Sequence, residues 1–165
     1  MSTMRRIHLL PALLSLLAAC ASGPTFDTSR VEHALTPRHV AAQWPEATGK
    51  RILWGGVILA VTNLQQRTDI EVLAYPLDAD NRPRRDDDPL GRFIIEHAGY
   101  LEPASYSEGR LVTVAGTVSR AEPGKIGASD YAYPVISAQQ LYLWPRDGGY
   151  DGTSVHFGIG VGIGF

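Results

Sequence analysis

Residues 52–62 constrain the fold of this chain more than any other stretch. They are rich in β-branched and aliphatic side chains, with Leu53 and Val57 on one alternating face and Ile52 and Ile58 on the other. Successive side chains of a strand point to opposite faces, so a strand that is apolar on both faces needs neighbours that cover both. We therefore predict a long central strand.

Two glycine positions predict close approaches between strands. Gly55-Gly56 interrupts the first strand, which indicates a bulge or a sharp bend. Residues 110–120 form the most regular alternating strand, and the inward positions of this strand are valines except for Gly116. A missing side chain at that position lets a neighbouring backbone pass close, as at the corner of a small barrel.

Further segments complete a mainly β pattern. Residues 68–75 return after a turn to form a hairpin with the first strand, and residues 92–96 form a short strand. Residues 133–144 form a last long strand after a turn-rich connection over residues 121–132. Residues 101–106 fit one helical turn. This order is that of a small five-stranded OB-like Greek-key barrel, with one short helix between strands three and four.

A second short helix is predicted ahead of the first strand. Thr36 is a favourable N-cap, Pro37 suits the first helical position, and the helical pattern runs to about Gln43. The length of the chain suits one domain with its own core. We place the barrel domain at residues 36–145 and a glycine-rich C-terminal tail at residues 146–165.

The only cysteine, Cys20, ends a short secretory segment. Two arginines precede an apolar run over residues 7–17, which has the length of a signal-peptide core and is shorter than the roughly 20 residues of a bilayer span. Ala18-Ala19 ahead of the cysteine resembles the lipobox of bacterial lipoproteins, which implies removal of residues 1–19 and lipidation of Cys20. The alternative is an ordinary signal peptide that leaves Cys20 as a free thiol.

A lipidated Cys20 defines the location of the protein. At roughly 0.8 kcal/mol per buried CH₂, the three acyl chains of a bacterial lipoprotein anchor it in effect permanently. Ala21 follows the cysteine where an aspartate would resemble a signal for retention in the inner membrane. Residues 20–35 are small, polar and aperiodic, typical of a flexible spacer. We therefore predict an outer-membrane protein whose only contact with the bilayer is its lipid anchor, with the domain on the periplasmic face.

The charge balance excludes one class of partner. The full sequence carries 15 basic and 17 acidic residues, for a formal net charge of −2. Loss of the two arginines before the cleavage site leaves 13 basic residues, so the mature chain stands near −4. An acidic chain of this kind lacks the basic patch that nucleic acid needs, and we predict no nucleic-acid partner.

The most charged stretch, residues 78–89, offers the best case for a metal site. Against a calcium-binding EF-hand loop, Arg82 falls where an oxygen ligand is needed and Pro83 where the turn glycine belongs. A calcium site built from the adjacent Asp86, Asp87 and Asp88 is the alternative, because hard cations bind carboxylates. A solvated run whose charges pair with one another is the favoured interpretation.

No other pattern indicates catalysis. The mature chain contains four histidines: His33, His39, His97 and His156. No two of them lie at metal-ligand spacing, and there is no Gly-x-Ser-x-Gly nucleophile motif. Asp69 and Glu71 share one alternating face, which favours the outer, partly solvated side of a strand over an acid–base pair. We therefore predict no enzymatic activity, no cofactor and no metal.

Several separated blocks resemble one family. They are residues 49–58, 71–78, 91–93, 109–116 and 133–145. Together with the lipobox they are similar to the Slp family of starvation-inducible outer-membrane lipoproteins. The resemblance implies lipid anchoring at Cys20, an outer-membrane location and a link to starvation or stationary-phase stress, but no biochemical activity. The glycine-rich end after Trp144 departs from the family pattern.

Two functions from different classes remain open. The first is a lipid-anchored structural or interaction module of the cell envelope, whose partner is another envelope protein. The second is an OB-type domain that binds a periplasmic glycan or peptide through an aromatic platform. The aromatic residues that would form this platform are Trp44, Trp54, Trp144, Tyr75, Tyr133 and Tyr142. The alternative is that the same rings pack in the core.

The C-terminal tail carries a strict pattern of period two. From Val155 to Phe165, large apolar residues alternate with residues that are almost all glycine. This pattern predicts a strand with one apolar face and one bare face. Our hypothesis is that it adds to an exposed sheet edge of its own domain or of a partner. The alternative is a flexible glycine tail.

Overall fold

A computed structural model describes residues 23–146, and within them the chain is mainly β. One helix, α1 (Pro37–Ala42), comes before five strands: β1 (Arg51–Asn63), β2 (Arg67–Tyr75), β3 (Gly91–Ala98), β4 (Leu111–Ile126) and β5 (Ser129–Leu143). The prediction of a mainly β chain with five strands and one short helix is confirmed. In the described part of the chain, none of the helical structure has the length and apolarity needed to cross a membrane.

The five strands close into a barrel in the order β1-β2-β3-β5-β4. All neighbours are antiparallel except β3 and β5, which are parallel over three residue pairs, from Ile94–Val135 to Glu96–Ser137. β1 serves two neighbours, since its first half pairs with β4 and its second half with β2. β1 is therefore a central strand of the sheet, with its inward side chains buried and its outward apolar side chains Leu53, Val57 and Leu59 partly buried.

The inward-facing side chains of all five strands form one core. Its largest fully buried members are Phe93, Ile52, Ile58, Ile70, Ile95 and Ile136. Trp54 packs edge-on against Phe93, with ring centroids 5.3 Å apart. Full burial of such a side chain contributes about 1.5–3 kcal/mol, so the barrel interior supplies most of the driving force for folding.

Two glycines bring strands together, as predicted. A Cβ atom on Gly56 would lie 2.0 Å from the carbonyl oxygen of Leu73, and one on Gly116 would lie 2.4 Å from that of Ser137. The bulge predicted at the glycine pair of β1 lies slightly further along, between Ile58 and Ala60. The glycines therefore provide the close approach, and the bulge provides the change of register.

The predicted helix between the third and fourth strands is wrong. Residues 101–109 form turns, with a single α-type hydrogen bond from the Tyr106 N–H to the Glu102 carbonyl at 3.0 Å. So short a segment cannot repay the cost of helix nucleation. The one helix of the described residues is the predicted one at Thr36, whose side chain accepts from the His39 N–H. It precedes β1.

The turn-rich connection predicted over residues 121–132 is also wrong. β4 and β5 continue through it as paired strands to a tight turn at Gly127, whose φ is +61°. We call residues 120–133 the hairpin arm. Pro123 and Gly124 look like strand breakers, but the arm is largely exposed and is held by pairing of its own two strands.

The ordered body begins earlier than the boundary predicted at residue 36. Val31 bridges to Arg51, the Glu32 N–H donates to the Arg51 carbonyl at 2.9 Å, and Leu35 packs against the core. The Leu35 carbonyl accepts from the Trp54 indole N–H at 2.9 Å. The prediction of a flexible spacer is therefore wrong for the last part of residues 20–35. The part of that spacer before residue 23 lies outside the described residues.

Stability will fall on acidification, in part through His97. Burial lowers the pKa of this half-buried histidine below its usual value. The folded state therefore favours the neutral imidazole. As the pH falls below the unfolded pKa of about 6.5, the unfolded state binds a proton more readily than the folded state, and the free energy of unfolding decreases. We expect the free energy of unfolding, measured by denaturant titration from about pH 7.5 to about pH 5, to decline less in His97→Gln than in the native protein. An equal change in slope in His33→Gln, an exposed histidine, would contradict this.

Candidate functional site

The outer surface of β2 and β3 carries the main polar cluster of the described residues. Alternation along the strands turns Arg67, Asp69 and Glu71 of β2 outward, while Thr68, Ile70 and Val72 are buried. Arg92 and Glu96 of β3 lie beside them, because Leu73 pairs with Arg92 and Asp69 with Glu96. We call these five outward residues the β2–β3 face.

One half of this face is a chain of ion pairs. Arg67 lies 3.0 Å from Asp69 and 3.5 Å from Glu96. Arg120, at the base of the hairpin arm, approaches the same Glu96 carboxylate at 2.8 Å. The hydrogen bond with Asp69 raises the pKa of Arg67. All of these side chains are partly solvated, so each pair adds little to stability. The network therefore contributes little to the stability of the fold, and its main effect is to fix the arrangement of charges on this surface.

The other half of the face centres on Glu71. Arg92 donates to its carboxylate at 2.9 Å, and the Tyr133 hydroxyl donates to it at 3.3 Å. The bond to Glu71 raises the pKa of Arg92, and burial raises the pKa of Tyr133. Both groups therefore keep their protons at neutral pH. They serve as hydrogen-bond donors and cannot act as bases.

The hairpin arm extends this surface through Tyr131. Its hydroxyl donates to the Arg92 carbonyl at 2.9 Å and accepts from the Arg92 N–H at 3.1 Å. The ladder between β3 and β5 begins only at Ile94. One tyrosine hydroxyl therefore satisfies both backbone groups of Arg92, two residues before that ladder begins.

A groove opens at the far end of the face, where β3 and β5 separate. It has a volume of about 630 Å³ and is lined by Leu64, Gln65, Gln66, Arg67, Glu96, Ala98, Ser137 and Ala138. We call it the end groove. Among the described residues, the exposed large hydrophobic side chains are Leu64 at 45% and Tyr100 at 65%. The Gly99 N–H donates to the Gln66 carbonyl at 2.9 Å, so both side chains lie on neighbouring loops at this end.

The two most buried tryptophans of the predicted aromatic platform do not lie on one surface. Trp54 is inside the barrel against Phe93, whereas Trp144 lies outside it with its indole N–H donating to Thr113 at 2.9 Å. Both are 6% exposed. Trp144 is further covered by the Arg82 guanidinium, 5.4 Å from its ring centre. These two tryptophan rings are packed on opposite sides of the sheet and share no surface for a ligand.

The charged loop folds back on itself. The Asp78 carboxylate accepts from the N–H groups of Asp80 and Arg82, both at 2.9 Å, and Arg84 pairs with Asp87 at 2.6 Å. Across residues 23–146 no three His, Cys, Asp or Glu side chains are grouped in a way that could hold a metal ion. The favoured interpretation, a charge run whose members pair with one another, describes this loop.

The other residues singled out from the sequence fall into two groups: those that the structure describes and those that it does not. Asp69 and Glu71 lie on the outer, partly solvated side of β2, as their alternation indicated. Cys20 and the tail from Val155 to Phe165 lie outside the described residues. Sequence reasoning did not find the arginines that pair with these carboxylates, because strand alternation gives the face of a residue but not its neighbour on the next strand.

Comparisons with known proteins agree with the resemblance. The family model described as Outer membrane lipoprotein Slp family matches residues 17–157. A protein named Outer membrane protein Slp, from Escherichia coli K12, is 28% identical over 138 residues, which are 82% of this chain and 73% of that protein. An uncharacterized lipoprotein of the same organism, YeaY, is 34% identical over 96 residues, 58% of this chain and 49% of its own length.

A third relative comes from Haemophilus influenzae Rd. It is an uncharacterized protein, 37% identical over 103 residues, which are 62% of this chain and 56% of that protein. The chain thus spans about half the length of this relative and of YeaY. No solved structure matches. The family match covers most of the chain, and the chain therefore belongs to the Slp family of outer-membrane lipoproteins.

Proposed function

We propose that this protein is a lipid-anchored interaction module of the outer membrane, and that its β2–β3 face and end groove bind another envelope protein. Lipidation of Cys20, the periplasmic position of the domain, the stress link and the absence of catalysis are parts of the same proposal. Family membership supports the anchor and the location. The binding surface is supported by the geometry of the barrel.

One observation carries the choice of surface. Within residues 23–146 the exposed large hydrophobic side chains, Leu64 and Tyr100, lie at one end of the barrel, beside a groove with arginine and glutamate on its rim. Protein–protein interfaces combine an apolar or aromatic centre with a polar rim and are enriched in arginine and tyrosine. Apolar side chains grouped in this way are typical of a binding surface.

We also propose that the barrel is of the OB type. The ring order β1-β2-β3-β5-β4, with β3 parallel to β5, supports this assignment. OB-fold proteins use the surface of strands two and three, with the adjoining loops, for ligands. The β2–β3 face and the end groove occupy that same position.

Site-specific crosslinking in the native envelope tests the proposal. A photo-reactive amino acid at Gln65, in the end groove, will trap a discrete protein adduct. The same residue at Asp80, exposed on the charged loop, is the matched control and will give none. Adduct formation at both positions, or at neither, would contradict the choice of surface.

A glycan or peptide ligand is the second candidate, favoured by the volume of the end groove. About 630 Å³ lies in the range of small-ligand sites. Purified cell-wall fragments added to the isolated domain distinguish the two. Saturable binding that Leu64→Asp abolishes would favour the ligand, and crosslinking without such binding would favour the protein partner.

A further inference from the structure

The N-terminal segment is attached to the outside of the barrel at Asp27. The Asp27 N–H donates to the Gln140 side chain at 2.9 Å, and its carboxylate pairs with Arg51 at 3.0 Å. Arg51 and Gln140 belong to β1 and β5, on either side of β4. The chain therefore crosses the outer surface of β4 at this point.

The attachment keeps its charge at any envelope pH. Hydrogen bonds from the Ser29 hydroxyl and N–H, and then the bond from Arg51, lower the pKa of Asp27 to about 2. A carboxyl whose folded pKa is lowered contributes stability above its unfolded value, and loses it only as pH falls through the folded value. Protonation will not release this contact under physiological conditions.

The distance from this contact to the lipidation position is short. Six residues separate Cys20 from Asp27 in the sequence. Even a fully extended chain rises only about 3.3–3.6 Å per residue, so the seven steps from Cys20 to Asp27 span about 25 Å at most. That maximum reach is shorter than the diameter of a small domain, about 30 Å, so Asp27 cannot lie on the side of the barrel farthest from the bilayer.

We propose that the outer surface of β4 around Asp27 faces the lipid headgroups, which gives the anchored protein a fixed orientation. This inference rests on the lipidation of Cys20 in the proposed function. We call this surface the anchor patch; it consists of Asp27, Arg51, Thr117, Gln139 and Gln140.

The chemistry of the anchor patch suits a phospholipid surface. Its two charges, on Asp27 and Arg51, neutralise each other, and its other side chains are uncharged. The Gln139 amide donates to the Thr117 hydroxyl at 3.2 Å, so these groups form one connected polar surface. A neutral polar patch meets no electrostatic barrier at either a zwitterionic or an anionic membrane.

The order of the strands around the barrel identifies the surface that lies opposite the anchor patch. Around a ring of β1-β2-β3-β5-β4, β4 lies across from the boundary between β2 and β3. The orientation therefore points the β2–β3 face away from the bilayer, toward the aqueous compartment.

Fluorescence quenching on reconstituted, full-length lipoprotein tests the orientation. In the variants Gln139→Cys and Ala60→Cys the new cysteine is the one thiol left free when Cys20 is acylated, and each receives one fluorophore in vesicles that contain headgroup-nitroxide phospholipid. Both positions are exposed, and Ala60 lies nine residues along β1 from Arg51, roughly 30 Å at strand spacing. We expect the probe at Gln139 to be quenched about twofold or more over that at Ala60, since quenching requires approach to the headgroups.

Two measurements keep the outcome unambiguous. Mass spectrometry of the same samples reports acylation: an unmodified Cys20 would overturn the proposed function, whereas equal quenching in an acylated protein would overturn the orientation alone. Insertion of a Gly-Ser linker of about 12 residues after Gly23 lengthens the tether and should equalise the two probes. A retained difference in that variant would show that tether length does not set the orientation.

Discussion

Replacing Cys20 by serine will move the protein from the membrane to the soluble fraction, or leave it as an unprocessed precursor. A serine hydroxyl cannot form the thioether that carries the diacylglyceryl group. The described residues offer no membrane-spanning helix in its place. In the proposed function the protein is held by three acyl chains on Cys20, at roughly 0.8 kcal/mol per CH₂, so the expected change in partition is very large. Fractionation and incorporation of labelled palmitate measure it.

The control for this prediction is Ser29→Ala, which changes a residue near the tether but not the modified atom. It should remain in the membrane fraction and incorporate palmitate as the native protein does. Palmitate incorporated into the Cys20→Ser variant would refute the assignment of the anchor.

Adding one methyl group at Gly56 will destabilise the barrel more than most single substitutions. The new Cβ would lie 2.0 Å from the Leu73 carbonyl oxygen and 2.7 Å from its carbon, so the backbone of β2 has to move. Overpacking of a rigid interior costs about 1–3 kcal/mol, and a forced shift of paired strands adds to it. We expect Gly56→Ala to lose about 3 kcal/mol or more of unfolding free energy and about 10 °C or more of Tm.

Two further alanine variants calibrate this result. Gly116→Ala meets the Ser137 carbonyl at 2.4 Å and should lose a similar amount. Gly23→Ala has open space around its new methyl and should match the native Tm within about 1 °C. A native-like Tm for Gly56→Ala would mean that β1 and β2 are not as close as described.

The barrel was predictable because its strands follow simple alternation. In β2, Ile70, Val72 and Ala74 face the core and the residues between them face outward, and the sequence states this directly. Gly116 was recognisable for the same reason, since it interrupts a row of valines that would otherwise all point inward. A period of two fixes the face of each residue without any knowledge of the neighbouring strand.

The features that were not predicted depend on contacts between segments that are far apart in the sequence. The hairpin arm contains Pro123 and Gly124, which indicate a turn locally, and only its cross-strand pairing reveals a strand. Asp27 looks like one polar residue in a spacer until Arg51 and Gln140 are brought beside it by the closed barrel. Local composition carries no information about such partners, which lie 24 and 113 positions away.

The two hydrogen bonds between Tyr131 and Arg92 affect how copies of the protein can associate on a membrane surface. Molecules confined to a membrane meet at far higher effective concentration than the same molecules in solution. An unpaired strand edge would allow such molecules to associate edge to edge into extended sheets. Because one hydroxyl occupies both the N–H and the carbonyl of Arg92, this end of β3 presents no template for a second copy. The tyrosine contact therefore removes one place at which a neighbouring copy could add a strand to the sheet.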